Sequence, residues 1–316
     1  MRWLRLLLPL VLIGICLALA DGQGALDRLA ALSPGWMLAT VVLLNAVTLL
    51  SALRWRVTAG ALGLHMPWWG TAREYYLAQF VNQTLPGGVL GDAARAARNR
   101  QGGTLGRAAQ AVVLERASGQ AGMAAMLALG LIGVALPSGP GTTGTAYAAG
   151  ATGPQVPLVV LLPAGVLALM LTATGVLIFT RAGRPDGWRA AARSALLGRF
   201  PAQAALSLAI SALIVAGFVT AARASGSTLP SGTAMLIVPL ILTAMLLPAS
   251  VAGWGWREGA AAALFPLAGL GADAGLAASI AFGLAALISA LPGAFFLQRR
   301  TSNAAPAGDG IATTHD

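Results

Sequence analysis

Two arginines stand at matched places in this chain. Arg95 follows Leu85-Pro86-Gly87-Gly88-Val89-Leu90-Gly91-Asp92, and Arg257 follows Leu247-Pro248-Ala249-Ser250-Val251-Ala252-Gly253-Trp254, with Glu258 next to it. In both segments proline and glycine interrupt an apolar stretch. Proline withholds an N–H and clashes with the preceding turn, and glycine is costly inside a helix, so one helix ends there and another begins. The new N-terminus carries about half a positive charge and free N–H groups, which favours anions. A guanidinium on the new helix adds a fixed cation able to fork onto two phosphate oxygens. Asp92, Arg95 and Asn99 share one helical face, at spacings of three and four. This pattern suits non-covalent capture of a phosphate, with Arg95 and Arg257 as two stations along one polar path.

Neighbouring residues extend the candidate site. Glu115 and Arg116 lie just inside the next apolar run, where a charge costs about 2.5–3.5 kcal/mol at the membrane centre and less near the interface. Glu115 either pairs with Arg95 or Arg98 or touches substrate; the spacing leaves both open. Asn82, Gln83 and Thr84 adjoin the first break and either line a cavity or satisfy freed backbone groups. Pro86, Gly87, Gly88, Gly91, Pro248 and Gly253 form the hinges. Arg98, Arg100 and Arg107 read as a solvated face, and Trp68, Trp69, Tyr75 and Tyr76 as an interfacial aromatic belt. Asn45 reads as a polar contact between helices.

The two segments match at one offset of 162 residues, with Leu, Pro, Val, Gly and the Arg identical. The same offset carries the apolar run Trp36–Leu53 onto Ala202–Ala222, and Ala117–Leu136 onto Gly275–Leu297. It also carries Leu4–Ala20 beside Val156–Phe179, which argues that the first run is a retained span rather than a signal peptide. An internal repeat follows.

Composition fixes the solvent. Apolar residues make up 57% and charged residues 9%, with a mean hydropathy of +0.76, whereas a soluble fold keeps about 25% charged. The chain belongs in lipid. All 20 basic residues are arginine, and the net charge is +10. Without lysine there is no phosphate-binding P-loop, and His65 and His315 are too far apart for H-E-x-x-H zinc chemistry. A single Cys16 excludes internal disulfides and thiolate metal clusters. No cofactor and no nucleic-acid partner is expected.

Those runs are long enough to cross about 30 Å of hydrocarbon, and the broken stretches Pro67–Gly91 and Thr233–Leu270 lie between them. Arginines concentrate at Arg54–Arg107 and Arg181–Arg199 and flank both ends, so the positive-inside bias places both termini in the cytoplasm. That requires an even number of crossings, so each broken stretch dips in and returns on one side. The expected fold is an all-α integral membrane protein of six full spans plus two re-entrant hairpins, arranged as a 3+3 inverted repeat. Residues 1–140 make the first repeat, with its hairpin near 67–107. Residues 141–300 make the second, with its hairpin near 233–272, and 301–316 read as a disordered cytoplasmic tail. Inverted repeats with broken helices are a transporter architecture.

At these residues the chain resembles the flippase-like family named after the lysylphosphatidylglycerol synthase transmembrane region. The resemblance rests on Asn82 through Asp92 with Arg95, on Glu115-Arg116, and on Leu247-Pro248 through Gly253 with Gly255, Arg257 and Glu258. It implies a protein of the bacterial cytoplasmic membrane that translocates, or helps export, a phospholipid or polyprenyl-linked glycolipid, whose phosphate-bearing headgroup is the partner. Lipid-biosynthesis enzymes are further implied partners. The soluble synthase domain of the aminoacyl-phospholipid members has no counterpart before Asp316, so synthase activity is not expected. Ala249-Ser250 stand where the first motif has Gly-Gly, a departure that weakens symmetric roles for the hairpins. Two other readings compete: a non-transporting scaffold for a lipid-synthesis complex, and a polyprenyl-phosphate glycosyltransferase with Asp21 or Asp27 as base.

Overall fold

A computed structural model describes residues 14–18, 21–85, 89–99, 105–135, 187–246 and 252–302, and among them every regular element is helical. Helix α1 (Gly22–Ala30) leads into α2 (Pro34–Ala61). The shorter helices α3 (Trp68–Thr84) and α4 (Leu90–Arg98) are followed by α5 (Leu105–Ala135). Later come α6 (Trp188–Ala192), which passes into a π turn, then α7 (Phe200–Ala224), α8 (Ser231–Thr243), α9 (Trp256–Leu264) and α10 (Ala272–Ser302). Most of the first apolar run, the fourth run Val156–Phe179, the hinge residues Pro86, Gly87, Gly88 and Pro248, and residues 303–316 lie outside the described residues.

Three described helices are long and apolar enough to cross a membrane: Pro34–Ala61, Phe200–Ala224 and Ala272–Phe296. At 1.5 Å per residue each exceeds about 30 Å. A proline opens the first turn of α2 and of α7, where its missing N–H costs nothing. Inside a bilayer the helix satisfies its own backbone, which water cannot do there.

The radial pattern of side chains is that of a lipid-immersed bundle. On α2, Thr40, Thr48, Ser51, Arg54 and Thr58 are buried, whereas Leu38 and Val42 are 65% and 59% exposed. With buried Leu44 between Thr40 and Thr48, these inward positions recur every three to four residues, one stripe of a helix. Alpha-10 shows the same inversion, with Ser279 and Ser289 buried and Ile288, Leu291 and Phe295 exposed. Polar side chains inside membranes turn toward the bundle interior, and these do.

Helices α2 and α7 lie antiparallel along their length. Thr40 and Thr220 share a 2.9 Å hydroxyl contact near one end, and Gln203 donates to the Thr58 hydroxyl at 2.8 Å near the other. A large apolar core joins α7, α8, α9 and α10 around Phe218, Ile237, Ile241, Leu264, Phe265 and Phe282. A second cluster, built on Trp55, Ala59, Tyr75, Ala96, Ala108 and Val112, joins α2, α3, α4 and α5. Glycine permits two of the closest crossings. A Cβ on Gly91 would overlap the Ala78 carbonyl, and one on Gly283 would overlap the Arg257 guanidinium and the Trp254 ring.

Candidate functional site

Between the two clusters lies a cavity of about 550 Å³. Its lining comes from the middle of the long helices: Leu44 through Arg54 on α2, Ile210 to Ile214 on α7, and Phe282 to Ser289 on α10. Gln79, Asn82 and Gln83 reach it from α3, Val89 and Asp92 from the start of α4, and Arg116 and Gln120 from α5. Met245, Ala252 and Gly253 close it from the segment between α8 and α9. Residues flanking both interrupted segments thus border one chamber.

A chain of alternating charges forms one wall. Arg54 Nη2 meets Glu115 Oε1 at 2.7 Å, and Arg95 Nη2 meets Glu115 Oε2 at 2.8 Å. Arg95 Nε lies 3.0 Å from Asp92 Oδ1, and Arg116 Nη2 lies 2.7 Å from Asp92 Oδ2. Each carboxylate is shared by two guanidiniums, the compensation that buried charge requires. Three arginines face two carboxylates, so the group keeps one positive charge in excess. Arg95 and Glu115 are fully enclosed, whereas the Arg116 side chain is 51% exposed. The excess charge is presented there.

Local sequence explains the placement. Asn82, at the end of α3, accepts the Gly91 N–H through Oδ1 at 2.7 Å, capping the first turn of α4. Asp92 sits in that turn, where the helix dipole favours an anion. Arg95, one turn on, slides between Trp55 and Tyr75, with its Cζ 4.6 Å from each ring centre. Asn99 then donates back to the Arg95 carbonyl at 2.9 Å. Arg98, expected on a solvated face, pairs with Glu74 at 2.6 Å.

The second arginine has a closed environment of its own. Arg257 Nη2 pairs with Glu258 Oε1 at 2.5 Å, and its Nε donates to Ser279 at 2.9 Å. Glu258 Oε2 accepts the Gly255 N–H at 2.7 Å, fixing the start of α9. The guanidinium is packed by Trp254 and Phe282, at 5.0 and 5.6 Å. This pair is electrically neutral, unlike the first network.

The residues singled out from the sequence therefore divide. Asn82, Gln83, Asp92, Arg116 and Gly253 line the cavity; Arg95, Glu115, Arg257 and Glu258 do not, and they support its walls from behind. Gly91 lies at the α3–α4 crossing, while Pro86, Gly87, Gly88 and Pro248 lie outside the described residues. Of the two openings left for Glu115, the structure takes the ion pair to Arg95. Sequence reasoning missed Arg54 and the hydroxyls at Thr48 and Ser51. Their three-to-four-residue spacing within an otherwise apolar run was the available signal.

The aromatic expectation also divides. Trp69 is 80% exposed, as an interfacial residue is. Tyr75 is buried over Arg95, its hydroxyl 3.4 Å from Glu115, and Tyr76 donates to Asn45 at 2.8 Å. Both phenols turn inward because a partner waits there. Asp21 caps α1 by accepting the Gly24 N–H, and neither it nor Asp27 reaches the cavity. Among the described residues no cluster of His, Cys, Asp or Glu could hold a metal ion.

The family described as the lysylphosphatidylglycerol synthase TM region matches residues 3–293. No curated protein and no solved structure matches the chain.

Proposed function

The chain belongs to the lysylphosphatidylglycerol synthase TM region family, and from that premise we propose that it moves, or helps export, a phosphate-bearing lipid across the bacterial cytoplasmic membrane. The headgroup passes through the cavity while the acyl or polyprenyl tails stay in the hydrocarbon outside. The obstacle to such movement is desolvation of a charged headgroup, and fixed cations and polar side chains at mid-depth replace the lost water. One observation carries the reading: the cavity sits at the middle of the candidate spans and is lined by Arg54 and Arg116 beside Asp92, with the Arg95–Glu115 pair holding that wall from behind. Arg116 is the principal phosphate contact, with Arg54 behind it. Arg95 and Arg257 serve by holding the two walls, and Asp92 by aiming Arg116.

The finer architecture belongs to the same proposal. Six spans and two re-entrant hairpins form an inverted repeat, with both termini in the cytoplasm. Support comes from the order of elements, in which a long helix, a shorter interrupted pair and another long helix occur twice: α2 to α5, then α7 to α10. Support comes also from the cavity, which borders both interruptions, as broken helices border substrate in transporters.

The test is reconstitution. Liposomes carrying the purified chain should expose labelled phospholipid headgroups to a membrane-impermeant quencher faster than empty liposomes do. If they do not, the chain is a scaffold for lipid-synthesis enzymes rather than a carrier.

A further inference from the structure

The lining of the central cavity bears on which headgroup it takes, an inference that rests on the lipid reading above. Asp92 is the one carboxylate among the described lining residues; its Oδ2 accepts from Arg116, and its Oδ1 is enclosed 3.0 Å from Arg95 Nε without accepting a hydrogen bond. No negative charge is left for an ammonium group. The other means of holding an ammonium is an aromatic face. The described lining offers Tyr75 and Phe282, and both already carry guanidiniums: Arg95 lies 4.6 Å from the Tyr75 ring centre and Arg257 lies 5.6 Å from that of Phe282. The protein's own arginines occupy the places an amine would need.

Beside Arg54 and Arg116, part of the polar lining is neutral and without an internal partner among the described residues. The side chains of Ser51, Gln83, Gln120 and Ser211 line the cavity and make no hydrogen bond among the described residues. Among the described residues Asn82 uses only its Oδ1, on Gly91, and its amide N–H groups have no partner there. Amides and hydroxyls both donate and accept, which matches the hydroxyl groups of glycerol or a sugar. A polar site rejects a ligand lacking the matching groups, because its own groups are then left unpaired. About 550 Å³ falls within the range of small-molecule pockets.

We propose that the cavity selects a headgroup that is anionic through its phosphate and otherwise hydroxyl-bearing, a phosphoglycerol or phosphosugar, over an aminoacylated or amine headgroup. Phosphate binds at Arg116, and the hydroxyls bind at Gln83 and Gln120.

The experiment is a lipid titration of the full-length chain in detergent, read by native mass spectrometry. The probes are phosphatidylglycerol, phosphatidic acid, phosphatidylethanolamine and lysyl-phosphatidylglycerol of equal acyl chains. Phosphatidylglycerol should be retained at least tenfold better than either amine-bearing lipid, and better than phosphatidic acid. Gln83→Leu combined with Gln120→Leu should bring phosphatidylglycerol down to the level of phosphatidic acid, whose own retention stays unchanged and shows the fold intact. Equal or tighter retention of either amine-bearing lipid overturns the inference. So does equal retention of phosphatidic acid and phosphatidylglycerol by the unaltered chain. The transport reading fails separately: if the binding order holds while liposomes show no headgroup movement, selection stands and translocation falls.

Discussion

Arg95 of α4 and Glu115 of α5 meet at 2.8 Å with neither side chain exposed at all. The pair ties the short helix after the first interruption to the long helix that follows. Glu115 has a second guanidinium on its other oxygen, from Arg54 of α2, so one carboxylate fixes three helices. Removing one partner of a buried ion pair costs about 3–5 kcal/mol, because the other charge is left uncompensated. Glu115→Gln leaves Arg54 without a carboxylate and Arg95 with Asp92 alone, and should lower stability by about that amount. Chemical unfolding of the detergent-solubilised protein measures it; a loss under about 1 kcal/mol would contradict the network.

Arg98→Ala offers the contrast. Its pair with Glu74 is also short, but the Arg98 side chain is 26% exposed. Glu74 is buried, but solvent reaches the Arg98 end, so losing this guanidinium should cost less than losing a fully enclosed one. The substitution should therefore lower the unfolding midpoint less than Arg95→Ala does. Thermal unfolding of the two variants side by side decides it.

Gly283→Ala tests the α9–α10 contact. The added methyl overlaps the Arg257 guanidinium and the Trp254 ring, and overpacking of this kind costs about 1–3 kcal/mol. Gly35→Ala, where an added Cβ meets nothing within 4 Å, should be close to neutral. Equal thermal stability of the two variants would show that the Arg257 pocket is looser than the geometry requires.

Asn82→Ala removes the acceptor for the Gly91 N–H. Loss of a helix cap costs about 0.5–2 kcal/mol, and the first turn of α4, which carries Asp92, should loosen. Faster amide hydrogen exchange confined to residues 90–93 is the expected signature. Unchanged exchange there would mean that Asn82 does not anchor the turn.

Much of this arrangement is written in the chain, and the limits have physical causes. Three of the apolar runs coincide with candidate spans because lipid admits few charges, and Pro86 with its glycines stands between α3 and α4 because neither residue type suits a helix interior. Glu115 is visible as a charge needing a partner, and Arg95 is visible as a candidate for it. The spacing does not reveal that Arg95 is enclosed, since Trp55 and Tyr75 come to it from two other helices. The expectation that Arg95 and Arg257 face a shared chamber gives way for the same reason: each has a carboxylate and two aromatic rings within reach. The cavity lining is the least legible part. Serines, threonines and glutamines scattered over several helices carry no motif, and only packing makes them one surface.

The central claim is that a lipid phosphate occupies the cavity beside Arg116. A photoreactive residue installed at Gln120, in membranes containing radiolabelled phospholipid, tests it most directly. Illumination should yield a phosphorus-containing adduct at that position, and Arg116→Gln should reduce it at least tenfold. An adduct that forms equally well without the guanidinium, or none at all in a protein that retains its fold, would contradict the claim.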